Sequence, residues 1–363
     1  MSERNLLILV GVLLLWLEAP LFAADTKSGE TERGSGKGSE QKKDAHGRTF
    51  FWTEINLVGF YSPGSGDFDF SPRPQRTSAG FEYAGQLSRN HVTKALFGDA
   101  LQRADFDIHP LVIFNPVDDR LKFVFHDAWL RLGLGDRRRS SIKAGHFLIP
   151  FGQNPILEPR GFFILPLTAA DLGFKRDWGV AFQSSLGDYS YEVALTAASG
   201  LGFHHRSGGY LLSGRIGTPT YRDFEYGLSM LYGKVPEIRA ERLLPGAPVS
   251  RWRLGGDMIY KYGNYTLFKG EVAGGKDSEA PVLGYQLEVD YVFPRFQRAE
   301  ARIQFGSWFN DLRQSRSDDT FLLPGLSFSL TTATTLSFHY LQDLRRTSRS
   351  SDSRIFLQLH FYR

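Results

Sequence analysis

The sequence predicts an all-β fold, a transmembrane up-and-down antiparallel β-barrel of about sixteen strands. Three observations carry that expectation. Apolar and polar residues alternate strictly over runs of ten to twelve residues, aromatics gather at the ends of the apolar faces, and connections are short and long by turns. Composition agrees: 14% of the chain is aromatic, with 30 Phe and 15 Tyr beside 38 Gly. Rings of this kind pack well on a pleated, half-buried surface. There is no cysteine, which excludes a disulfide framework, a thiolate metal site, covalent haem attachment and acylation on Cys.

The chain opens with Arg4, an apolar run from Leu6 to Leu17 and small residues at Ala23 and Ala24, the pattern of a cleaved export signal over residues 1–24. That run is shorter than the roughly 20 residues a bilayer-spanning helix needs. Residues 25–48 are Gly, Ser, Lys and Glu with almost nothing apolar. They cannot bury enough surface to offset ordering, and are read as a flexible periplasmic tail. Residues 49–363 are the expected barrel.

Strands are expected near 50–61, 79–89, 105–114 and 121–134, and the last changes phase near His126–Ala128, which predicts a bulge. The link at 90–104 is longer than a periplasmic turn should be. From Leu121 onward, short turns at 135–138, 187–188, 218–222, 263–264, 294–296 and 331–333 alternate with longer links at 149–176, 199–208, 234–250, 275–281, 310–319 and 343–352. Alternation is clearest where Phe224, Tyr226, Leu228, Met230 and Tyr232 oppose Asp223, Glu225, Gly227 and Ser229. The same pattern sets Leu283, Tyr285, Leu287, Val289 and Tyr291 against Gly284, Gln286, Glu288 and Asp290. The closing strand, Ile355 to Arg363, has the alternation that barrel assembly machinery reads, although it ends on Arg rather than Phe.

Solvent explains why such a sheet must close. In lipid no water satisfies an unpaired backbone N–H or C=O, so no edge can stay open. Sixteen strands then enclose a lumen too wide for side chains alone to fill. The expected setting is the outer membrane of a Gram-negative bacterium, in contact with its lipids and lipopolysaccharide. No nucleic-acid partner and no cofactor are expected.

Four segments carry a family likeness: His126-Asp127-Ala128-Trp129-Leu130, then Ile142-Lys143-Ala144-Gly145-His146-Phe147, Pro150-Phe151-Gly152, and Lys175-Arg176-Asp177-Trp178-Gly179-Val180. Over about eighty residues this resembles the phosphate-selective porin O and P family, in which a DAYL strand precedes GQFKxPFG and an RDxGV strand. The resemblance implies a sixteen-stranded homotrimeric porin for small hydrophilic solutes or ions, with its third external loop folded inward to constrict the pore. The link at 149–176 is third by count and longest, and its Phe162, Phe163, Ile164, Leu165 and Leu167 suit a loop packed in a barrel mouth. Departures are His146 and Leu148, where the family has Gln and Lys, and Ser199 in place of Asn. The Lys-rich phosphate site of that family has no residue-by-residue match.

By phase, Arg131, Lys143, Arg215, Arg251, Arg253, Lys261 and Arg302 face the lumen, as do Asp127, Glu192, Asp223, Glu225, Asp257, Glu288, Asp290 and Glu300. Arg on the lipid face at the midplane costs about 2–4 kcal/mol, which favours inward placement. Both signs together give either a transverse field across water or structural salt-bridge ladders. The chain has 31 Arg against 12 Lys. That excess fits oxyanion traffic and equally a codon bias. In the expected constriction loop Arg160, Lys175 and Arg176 are the candidates for favouring anions, with lipopolysaccharide or solvent contact as the other reading of Lys175 and Arg176. Arg137-Arg138-Arg139 and Arg345-Arg346 read as solvated loop charge. Two other classes would also suit a barrel. An outer-membrane enzyme of phospholipase type would need Ser337 to meet His339 or His360, and no nucleophile motif or spaced metal-ligand cluster supports it. A scaffold barrel would sheathe a partner protein, which an inward-folded loop opposes.

Overall fold

The computed structural model describes residues 49–70, 76–87, 101–115, 119–134, 140–156, 165–202, 208–219, 222–239, 242–243, 246–296, 298–314, 318–344 and 353–363. The export signal, the tail at 25–48, most of the 90–104 link, Arg160, Phe162, Phe163, Ile164 and both Arg runs lie outside them.

The alternating segments form β1 (Thr49–Ser62), β2 (Asp67–Phe70), β3 (Ser78–Leu87), β4 (Leu101–Asn115), β5 (Arg120–Leu134) and β6 (Ser140–Leu148). A long link containing one short helix, α1 (Leu167–Leu172), leads to β7 (Arg176–Leu186), β8 (Tyr189–Thr196), β9 (Tyr210–Gly217) and β10 (Phe224–Val235). A two-residue ladder, β11 (Ile238–Arg239) with β12 (Arg242–Leu243), stands apart from the main sheet. Then come β13 (Val249–Tyr262), β14 (Thr266–Asp277), β15 (Ala280–Val292), β16 (Ala299–Phe309), β17 (Asp318–Ser329), β18 (Thr334–Asp343) and β19 (Arg354–Tyr362).

Every neighbouring pair in the wall is antiparallel, and β19 pairs back onto β1 from Glu54↔Tyr362 to Tyr61↔Ile355, which closes the sheet. β2 and β3 share one place in that wall: β3 pairs with the first half of β1, and β2 with Gly59–Ser62. Thr77 bridges the interruption, its Oγ1 accepting from the Val58 N–H at 3.0 Å and donating to the Val58 carbonyl at 3.2 Å. Counted this way the barrel has sixteen staves. The fold class read from alternation is the one observed.

β10 illustrates the two faces. Phe224, Tyr226, Leu228, Met230 and Tyr232 point outward, while Glu225, Gly227, Ser229, Leu231 and Val235 are buried inside. Leu228 is 67% exposed and Met230 54%, with rings above and below them. Water would not tolerate so broad an apolar band on a stable monomer; hydrocarbon would. The phase change in β5 is a bulge: the register runs His109↔Asp127 and then Pro110↔Phe125, leaving His126 as the extra residue.

One link departs from expectation. β14 and β15 are joined by only Ser278 and Glu279, not by a long loop over 275–281. Gly275 and Pro281 read as turn residues in the sequence but sit inside the ladder, paired with Val282 and Lys276. Gly275 is glycine because a Cβ there would strike the Trp252 carbonyl of β13.

The largest apolar cluster lies inside the barrel. Ile149, Phe151, Leu167, Leu172 and Phe174 from the 149–175 link pack against Leu211 of β9, Leu231 and Val235 of β10, Ala273 of β14, Val282 of β15 and Trp308 of β16. A second cluster joins Leu165 of the same link to Val58, Leu323 and Phe356. The third link therefore touches opposite parts of the wall.

Candidate functional site

What holds the link across the lumen is visible residue by residue. Just after β6, the Gly152 N–H donates to Ser229 Oγ at 3.0 Å. The Gln153 amide donates to the Met258 and Gly270 carbonyls, each at 2.9 Å. Asn154 folds back on its own base, donating to the Ile149 and Lys175 carbonyls at 2.8 and 2.7 Å. Farther along, Leu165 and Gln304 of β16 exchange two bonds, at 3.1 and 3.3 Å. The far end is an ionic clamp: Arg253 Nη2 meets Asp171 of α1 at 2.7 Å and Asp277 at 2.5 Å, and Arg251 donates to the Asp171 carbonyl at 2.8 Å. Burial pushes the Asp171 carboxyl above its ordinary range, against the pull of Arg253 and Arg251.

Arg251 and Arg253 are thus inward, as their phase requires, but they fasten α1. Among the described residues Arg131, Lys143, Arg176, Arg215, Lys261 and Arg302 are also inward, and each of these meets a carboxylate. Arg131 pairs with Asp105 at 2.9 Å. Lys143 reaches across β7, over buried Ala181, to Glu192 at 2.7 Å. Arg215 reaches across β10 to Asp257 at 2.7 Å, through room left by Gly227, where a Cβ would collide with the guanidinium. Arg302 joins Asp290 at 2.6 Å and Glu300 at 2.7 Å, next to Lys269, which holds Glu288 at 2.5 Å. Lys261 pairs with Glu225 at 3.2 Å. Arg176, 1% exposed, holds Asp127 through contacts of 3.1 to 3.2 Å. The inner wall is a set of paired charges. Such pairs offset part of each other's desolvation cost and leave little field of one sign.

Between the 165–176 part of the link and the wall made by β1, β3–β5 and β15–β17 lies a cavity of about 380 Å³. Its border includes Glu54, Asn56, His126, Lys175, Arg176 and Trp308. Lys175 and Arg176 both border this cavity, whereas Arg131, Lys143, Arg215 and Arg302 belong to the wall. Sequence reasoning missed Gln153, Asn154, Asp171 and Gln304, the side chains that fix the loop; nothing in their local spacing marks them. It also missed the polar group at the β1–β19 seam, where Glu54 bonds His360 at 3.1 Å and Glu82 accepts from the Tyr362 hydroxyl at 2.8 Å. The Ser–His pairing an enzyme would need is not formed: Ser337 Oγ meets Ser327 Oγ at 2.9 Å and His360 meets Glu54.

No family model and no curated protein matches the sequence. Solved structures do. OmpT of Vibrio cholerae in its trimer form superposes with a TM-score of 0.62 at 10% identity, covering 88% of this chain and 100% of that one. An anion-selective porin from Comamonas acidovorans gives 0.59 at 12%, covering 87% and 99%. The outer-membrane channel DcaP of Acinetobacter baumannii gives 0.59 at 11%, covering 89% and 99%. At these identities the likeness is one of fold: a closed sixteen-stranded antiparallel barrel.

Proposed function

We propose that this chain is an outer-membrane diffusion channel for small hydrophilic solutes and ions. The observation that carries the reading is the combination of a closed barrel, apolar without, and an internal cavity left between the inward-folded link and the wall. The likeness to barrels described as porins and channels supports it, and one of those, OmpT, is described as a trimer. A homotrimer in a Gram-negative outer membrane, exported by residues 1–24 and assembled through its last strand, belongs to the same proposal. Among the described residues Ser337 meets Ser327 and His360 meets Glu54, which does not favour the enzyme alternative, and the link across the lumen opposes a barrel open enough to sheathe a partner.

Preference for anions of phosphate type is the finer form of the proposal. Lys175 at the cavity border supports it, and the anion-selective porin among the structural neighbours is in keeping with it, whereas Arg176 is paired with Asp127. The paired state of Arg131, Lys143, Arg215, Arg251, Arg253 and Arg302 limits its strength, so weak selectivity is expected. Swelling of liposomes carrying the purified chain tests the channel: small sugars should enter at rates that fall with size. The zero-current potential under a KCl gradient tests the finer form. A small value favouring chloride supports it; a value favouring potassium ends the anion reading while leaving the channel intact.

A further inference from the structure

The bulge in β5 does more than interrupt a ladder. In a regular strand, adjacent side chains point to opposite faces. Inserting His126 breaks that rule, so that His126 borders the internal cavity while its neighbour Asp127 also stands inside, opposite His109 of β4. Bulges re-aim side chains in this way beside functional sites.

The result is a cluster of nitrogen and oxygen donors in which three imidazole nitrogens make no hydrogen bond. Ligand atoms of His109, His126 and Asp127 all lie within 4.8 Å of one another. His109 is fully buried, yet neither of its ring nitrogens makes a hydrogen bond, and Nδ1 of His126, 3.3 Å from Asp127 Oδ2, makes none either. His109 Nε2 approaches Glu54 Oε2 at 2.8 Å without the angle of a hydrogen bond. Buried imidazole nitrogens are ordinarily bonded. Arg176 meets both oxygens of Asp127, at 3.1 to 3.2 Å, which fixes the carboxylate in place, and Oδ2 also lies 3.3 Å from His126 Nδ1. Two ligands on one tetrahedral ion stand about 3.4 Å apart, given metal–nitrogen distances of about 2.1 Å. Closing this group onto an ion therefore takes side-chain movements of roughly 1 Å.

We propose that His109, His126 and Asp127, flanked by Glu54, bind a divalent transition-metal ion of the zinc class in the inner wall of the barrel. Imidazole with carboxylate suits zinc, copper or nickel rather than calcium or magnesium, which prefer all-oxygen sets. Glu54 and His126 border the cavity, which gives the ion a path from the lumen.

The test uses the full chain, purified in detergent micelles without a histidine tag and stripped with chelator. Titration with ZnCl2 should show one strong site per chain. His126→Gln and His109→Gln should each weaken it at least tenfold, and His339→Gln, on β18, should leave it unchanged. Heat-modifiable migration on gels reports whether each variant folds. Should the buried His109 variant fail to fold, the part-exposed His126 decides. Cobalt absorption of the unaltered chain needs no variant: intense visible bands of a tetrahedral nitrogen-containing site support the proposal. Weak bands of hexa-aqua cobalt, or zinc binding equal in the unaltered and His126→Gln chains, overturn it. Since binding is read in micelles, its failure is separate from any failure of conductance.

Discussion

Arg176 shows how much an inward charge depends on its partner. Its guanidinium is buried against Asp127 at the start of β7, where the long link rejoins the wall. Replacing it by Gln strands a buried carboxylate, and breaking such a pair by removing one partner costs about 3–5 kcal/mol. Guanidinium unfolding of Arg176→Gln in detergent should show a loss of that order, while an unchanged midpoint would mean that the pair carries no structural load. At this scale the sequence was legible in part. Period two put Arg131, Lys143, Arg215 and Arg302 on the inner face, and a phase change near His126–Ala128 pointed to the bulge that the register places at His126. The pairings were hidden, because Lys143–Glu192 and Arg215–Asp257 each skip a strand and depend on the register of three. The surroundings of His109 were hidden for the same reason: the carboxylates around it come from β1, β3 and β5.

The elements divide into wall and link. For the wall, β10 offers a direct trial of the face assignment. Leu228 stands at the middle of an outward apolar stripe, so Leu228→Arg should cost about 2–4 kcal/mol in lipid. Leu228→Phe should cost little. The yield of heat-modifiable barrel in outer-membrane fractions measures both, and equal yields of the two variants would contradict a lipid-facing position. For the link, Gln153 is the side chain that ties it to β13 and β14. Gln153→Ala removes both bonds, each worth about 0.5–1.5 kcal/mol net, and loosens the loop without touching the wall. Larger or noisier single-channel conductance is expected, and steps identical to those of the parent chain would show that this anchor does not set the aperture. The inward fold of the link was expected from a family resemblance and from its apolar residues. Its anchors could not be read, since Gln153, Gln304 and Asp171 are ordinary polar residues until the opposite wall is placed beside them. The β14–β15 hairpin misled because Gly275 and Pro281 signal turns locally, whereas register makes them strand residues.

For the whole molecule, closure is the fact from which the rest follows. β1 and β19, the two ends of the described chain, pair over eight residues from Glu54 to Tyr61, so no backbone edge faces lipid. That much was legible because strand number, strand length and terminal alternation all survive in the primary pattern. What fills the lumen was not, because it is a long-range matter of one link meeting distant strands. If the closed wall encloses a water-filled path past that link, single-channel recording of the purified full chain in planar bilayers should show discrete, ohmic steps that grow in proportion to KCl concentration. Folded, heat-modifiable protein that inserts into the bilayer and yields no steps at any salt would contradict it.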